Sequence, residues 1–164
     1  MRCRPGSENS GCVHPLRRFS ALKDVSHMRP FQNARWTLRK LSQRPADRQY
    51  RLLVVDDHRP GAEAITASLS LSGYEAQFVL SGMAVIAAIN GWTPDIAVLD
   101  INMPDMDGFA VERQLRQNRR TQHIVIVGFT AQDEFSIRAN GIAAGFDVYC
   151  QKGAGPDSLL YLLT

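Results

Sequence analysis

Short apolar runs alternate along this chain with stretches of helical spacing, and each apolar run ends on a polar residue. Arg51–Val55 predicts a strand that stops at the acid pair Asp56-Asp57. Gly61–Ser72 follows with Ala62, Ile65 and Leu69 on one stripe, the pattern of an amphipathic helix, and Gly73 closes it. Glu75–Val79 predicts a second strand and Gly82–Asn90 a second helix. Ile96, Ala97, Val98 and Leu99 are apolar without a break, as in a strand buried on both faces, and the run ends at Asp100. Pro104 and Gly108 punctuate a loop before a third helix at about Phe109–Gln117. His123–Phe129 is a fourth strand ending at Thr130, Gln132–Ala144 a fourth helix, Asp147–Gln151 a fifth strand ending at Lys152, and Pro156–Leu163 a short last helix.

Strands alternating with helices imply βαβ units with right-handed crossovers, hence an α/β fold with a five-stranded parallel sheet between two layers of helix. The domain is expected to occupy residues 50–164. Ahead of it, residues 1–49 are expected to form a basic, disordered tail. Phe31, Ala34, Leu38 and Leu41 recur there at spacings of three and four with Arg35, Arg39 and Lys40 between them, the spacing of an amphipathic helix over 31–44. Arg44-Pro45-Ala46-Asp47 reads as the linker.

Charge sharpens that division. Residues 1–49 carry eleven Lys/Arg against three acids, a net +8, while the remainder carries −5. The basic pI belongs to the tail, which is the one part of the chain suited to nucleic acid, an acidic partner or a membrane surface. Three cysteines (Cys3, Cys12 and Cys150) make no disulfide framework, and Cys150 sits in an apolar stretch that suits a buried, reduced thiol. No apolar run approaches the roughly 20 residues of a membrane span, and no secretory leader opens the chain, so the expected location is the cytoplasm.

Candidate chemistry lies at the strand ends. Parallel strands bring their carboxyl ends to one edge, where open α/β sheets bind ligands. Asp56, Asp57, Asp100, Thr130 and Lys152 should therefore converge. Each alone has an ordinary structural role, as turn former, helix cap or surface charge; their joint placement is what points to a site. Crowded carboxylates need a cation, and hard oxygen ligands suit Mg²⁺ (or Mn²⁺). A carboxylate can accept a phosphoryl group as a nucleophile, with Lys152 and Thr130 positioned to stabilise its oxygens.

Asp56-Asp57, Asp100-Ile101-Asn102-Met103-Pro104 with Asp107-Gly108, Thr130-Ala131 and Lys152 together resemble the receiver domain of two-component response regulators, from about Arg51 to Leu163. The Ala144-Gly145-Phe146-Asp147-Val148-Tyr149 approach to the last strand belongs to the same resemblance. It implies a flavodoxin-like, doubly wound sheet of order 2-1-3-4-5. It also implies that Asp100 is the phosphoacceptor, that Asp57 and Asp100 bind Mg²⁺ by side chain, Asn102 by its backbone carbonyl and Asp56 through water. Lys152 would pair with the phosphoryl oxygens, Thr130 would hydrogen-bond one of them, and Tyr149 stands at the position of the aromatic residue that switches with Thr130.

Two departures from the family pattern stand out. Gly153 follows Lys152 where the family usually has a cis proline, which implies a looser loop, and the last helix is short, which implies an incompletely covered sheet face. With no output domain after Thr164, the resemblance implies a stand-alone receiver, a phosphoacceptor rather than an enzyme, with slow self-dephosphorylation tuned by Asn102 and Gln132 at most. Its donor would be a sensor histidine kinase or a histidine phosphotransfer protein, and its output a downstream protein or dimerisation. The alternative is a nucleic-acid-binding regulator that uses the basic arm, with the receiver as its switch. Two enzyme classes fit less well. A flavin-binding relative would need an uncharged phosphate loop where Asp56-Asp57-His58 stands, and an aspartyl-phosphate phosphatase would need an acid at position 102, which is asparagine.

Overall fold

The computed structural model describes residues 33–43, 46–153 and 155–163. The alternating pattern folds into β1 (Asn33–Arg35), β2 (Arg51–Val55), α1 (Arg59–Leu71), β3 (Glu75–Val79), a 3₁₀ turn at Gly82–Ala84 leading into α2 (Val85–Gly91), β4 (Ile96–Asp100), α3 (Gly108–Gln117), β5 (Val125–Thr130), α4 (Glu134–Ala144), β6 (Val148–Gln151) and α5 (Pro156–Leu163). The sheet order is β1-β6-β5-β4-β2-β3. Strands β2 to β6 are mutually parallel, in the 2-1-3-4-5 order of the expected five.

Period-two alternation explains the unbroken apolar runs. Leu53, Val55, Ala97, Leu99 and Ile126 face one core with Val85, Ile89, Val111, Leu115 and Ile137 of α2, α3 and α4. Their neighbours Leu52, Val54, Ile96, Val98 and Val127 face a second core with Ala62 and Leu69 of α1 and Leu159 and Leu163 of α5. A strand covered on both sides has no solvent face to make polar.

The sixth strand departs from expectation. The helix expected over 31–44 does not form in the described part of that stretch: Asn33–Arg35 is an extended strand antiparallel to β6, pairing Ala34 with Tyr149. Ala34 and Trp36, two residues apart, both pack on the first core. An unpaired edge on β6 offers more backbone hydrogen bonds than an isolated helix turn could keep, so tertiary pairing overrides local spacing. Residues 1–32 and 44–45 of the expected tail lie outside the described residues, Cys3 and Cys12 among them. Cys150 is free and buried, and burial pushes its thiol up to about 11, as expected of an inert side chain.

Two features of α3 shape the site above it. Asp107 caps the helix by accepting from the Ala110 N–H at 2.8 Å. Gly108 then passes so close beneath β4 that an added Cβ would lie 2.5 Å from the Asp100 carbonyl oxygen and 2.8 Å from Ile101 Cα, both backbone atoms that cannot swing aside. Four residues later, Glu112 is wholly buried. Among the described residues neither of its carboxylate oxygens finds a hydrogen bond, and Arg116 Nε stands 3.3 Å away.

Gly108→Ala should therefore lower unfolding free energy by about 2 kcal/mol, the usual cost of overpacking, measured as a shift of the urea midpoint. Burial raises the Glu112 pKa, with Arg116 opposing it. The folded state thus holds this proton more tightly than the unfolded state. Its contribution to stability is full below the unfolded pKa and is lost as pH rises through the raised folded value. Glu112→Gln, which cannot titrate, should gain about 1 kcal/mol over the parent at neutral pH and lose that advantage on acidification, read from urea unfolding across a pH series.

Candidate functional site

The carboxyl ends of β2, β4, β5 and β6 gather the expected residues at one edge of the sheet. Asp56, directly after β2, is buried; its Oδ1 accepts from the His58 N–H at 2.9 Å. Asp57 beside it is exposed. Asp100 closes β4 and is only 5% exposed, with its Oδ1 accepting from the Asn102 N–H at 3.0 Å. One carboxylate oxygen from each of Asp56, Asp57 and Asp100 lies within 4.8 Å of the others, a hard, all-oxygen donor set that fits a divalent cation such as Mg²⁺.

Lys152 spans two of these acids. Its Nζ donates to Asp100 Oδ2 at 2.7 Å and to Asp56 Oδ2 at 2.8 Å, and stands 5.5 Å from the centre of the Phe129 ring. Its backbone N–H is tied to the Thr130 carbonyl at 2.7 Å, so the lysine leaves the sheet in register with β5. Burial raises the Asp100 pKa, against the opposing pull of Lys152 and the Asn102 N–H. Burial would lower that of Lys152, but the two carboxylates outweigh it and hold the ammonium protonated. Gly153 follows with φ +99°, a left-handed conformation that glycine adopts freely and proline cannot.

A second layer connects this edge to β6. Thr130 is buried, and its Oγ1 accepts from Asn102 Nδ2 and from the Gln132 N–H, each at 3.2 Å. Gln132 Nε2 reaches back to Asn102 Oδ1 at 3.4 Å. Tyr149 is fully buried with its ring turned inward, and its hydroxyl donates to the Gln132 carbonyl at 2.6 Å. Burial, then the nearby Asp133 and Glu134, push that phenol up to about 12.

Six of the seven expected residues thus lie on this edge or one hydrogen bond behind it, and Tyr149 connects to Thr130 through Gln132. The sequence reading missed Trp36, whose ring stacks on Tyr149 at 5.7 Å with the planes 14° apart. It also missed Asp147, a buried carboxylate that accepts from Thr37, Arg39, Arg116 and the Ile126 N–H. The apolar alternation of Ala34 and Trp36 was the available signal for the first. For Asp147 there was none beyond an acid at the entrance to a buried strand.

Comparison with known proteins matches residues 52–164 to the response regulator receiver domain. Response regulator MprA of Mycobacterium sp. (strain KMS) is 39% identical over 110 residues, covering 67% of this chain and 47% of that protein, and MprA of Mycobacterium avium (strain 104) matches to the same extent. The chain spans about half the length of these curated relatives. Among solved structures, a putative response regulator from Chloroflexus aurantiacus J-10-fl superimposes with a TM-score of 0.66 at 31% identity, covering 71% of this chain and 95% of that one. The chemotaxis protein CheY4 of Vibrio cholerae gives 0.68 at 25% identity, covering 71% and 97%. The chain belongs to the response regulator receiver-domain family.

Proposed function

We propose that Asp100 accepts a phosphoryl group from a phosphohistidine donor, a sensor histidine kinase or a histidine phosphotransfer protein, and that Thr130 and Tyr149 relay its presence to the surface of α4, β5 and β6. The observation that supports this most directly is a nearly buried carboxylate, Asp100, held by an ammonium and a backbone N–H beside two further acids. In the transfer, an Asp100 carboxylate oxygen forms a new P–O bond in line as the donor's P–N bond breaks, and the leaving imidazole takes a proton from solvent.

Asp57 and Asp100 would hold Mg²⁺ by side chain, Asn102 by its carbonyl and Asp56 through water. Bound there, the ion supplies charge neutralisation for the phosphoryl oxygens. The chain's own residues do the rest. Lys152, already hydrogen-bonded to Asp100, can follow the charge from carboxylate to phosphoryl group. Thr130 Oγ1 accepts two hydrogen bonds and keeps its own proton to donate. No acid stands at position 102 to protonate a leaving group or activate water, which favours a signalling phosphoacceptor over a phosphatase.

The reading in which residues 1–49 grip nucleic acid has less support. Arg35 donates to the Leu162 carbonyl, Arg39 pairs with Asp147 and Arg48 with Asp95, so these cations are engaged within the fold. No helix among the described residues is long and apolar enough to cross a membrane.

Incubation with Mg²⁺ and a small phosphodonor such as phosphoramidate should add one hydroxylamine-sensitive phosphoryl group, located by intact-mass and peptide spectrometry. Asp100→Asn should abolish it, Lys152→Ala should slow it at least tenfold, in line with the loss of one preorganised charge, and a chelator should suppress it. An unchanged wild-type mass would overturn the reading.

A further inference from the structure

We infer that the segment 33–43 is a built-in strap that holds Tyr149 in its inward position, with Trp36 as the positioning residue, so that docking of the strap and phosphorylation of Asp100 reinforce each other. This rests on the reading of Asp100 as phosphoacceptor and names a part of the chain that regulates it.

The strap is fastened at both ends of the ring it covers. Before Trp36, β1 pairs with β6 from Cys150 to Val148, and Arg35 Nη2 donates to the Leu162 carbonyl of α5 at 2.8 Å. After it, the N–H groups of Trp36 and Thr37 donate to the Asp147 carbonyl at 2.7 and 3.2 Å, while Thr37 Oγ1 and Arg39 Nε donate to its carboxylate at 2.6 and 3.0 Å. Between these anchors Trp36 lies flat on Tyr149 and donates through Nε1 to Glu134 at the start of α4, at 2.9 Å. Its ring edge fills a notch that only glycine leaves open: a Cβ on Gly141 would overlap Trp36 Cζ3.

The sign of the coupling follows from what Trp36 blocks. Tyr149 is fully buried, and its ring can turn toward solvent only by displacing the indole stacked on it. Kept inward, its hydroxyl holds the Gln132 carbonyl, and the Gln132 N–H in turn holds Thr130 Oγ1 beside Asn102, on the Asp100 side. The docked strap therefore stabilises the arrangement in which Thr130 can donate to a group on Asp100. Linkage requires the converse by the same factor: a phosphoryl group, or a mimic of it, must tighten the strap.

The test uses the full-length chain with Mg²⁺ and fluoroberyllate, reading affinity by calorimetry and strap docking by amide exchange over residues 33–37. Trp36→Ala should weaken fluoroberyllate binding five- to tenfold, and Trp36→Phe, which keeps a stacking ring, should restore most of it. Gly141→Ala should reproduce the loss. It displaces the indole from a helix that alanine otherwise favours, which keeps the test valid if Trp36→Ala folds poorly. In the wild type, fluoroberyllate should slow exchange over 33–37 by the same factor. A purely structural role for Trp36 would lower the melting temperature and leave affinity unchanged. Unchanged or tighter binding in Trp36→Ala and Gly141→Ala, or faster strap exchange on binding, would overturn the inference. A wild type that ignores fluoroberyllate would instead overturn the phosphoacceptor reading, and the coupling with it.

Discussion

Three carboxylates gathered within 4.8 Å at one sheet edge are tolerable only with a cation among them. Two like charges about 4 Å apart cost about 4 kcal/mol at the effective dielectric of a protein surface, and two of these acids are nearly buried. In this structure Lys152 meets that requirement by donating to Asp56 and Asp100 together. The ammonium can do so because β6 is parallel to its neighbour and tied to it by the bond from Lys152 N–H to the Thr130 carbonyl. Sheet topology and site electrostatics are thus one constraint: an antiparallel last strand would deliver its lysine to the opposite edge and leave the acids unbalanced.

That constraint explains why most of the fold was legible from sequence. A strand covered on both faces reads as an unbroken apolar run, as at Leu52–Val55 and Ile96–Leu99, and its end shows up as an abrupt switch to a charged residue. Asp56, Asp100 and Lys152 stand at such switches, so strand and site were read from the same signal. Gly153 was harder. Its departure from the family's proline implies a looser loop; the left-handed turn that the structure has there, which glycine enters without strain, is a property of backbone geometry that composition does not encode.

The N-terminal strap was misread for a different reason. Phe31, Ala34, Leu38 and Leu41 have helical spacing, yet Leu38 is 93% exposed while Trp36, outside that spacing, packs on the core. Three paired residues are too few to show as a strand, and the reason they extend lies more than a hundred residues away in the open edge of β6. Arg39 falls on the polar side of that spacing, and its partner, Asp147, belongs to another element. Local pattern reports on faces that a segment buries against its own neighbours in sequence. It is silent about an edge completed from a distance.

An edge completed in this way differs from a permanent outer strand. β1 contributes three backbone pairs, one stacked ring and a few polar anchors, against an ordering cost of about 1–2 kcal/mol for every residue held in place. A bias of about 1.4 kcal/mol at Tyr149 changes the docked-to-undocked ratio tenfold. The face of α4, β6 and α5 is covered while the strap is docked and offers an open β6 edge when it is not. Because Trp36 rests on the same ring that Gln132 and Thr130 connect to Asp100, any preference of the site for one position of Tyr149 is also a preference for one state of that face.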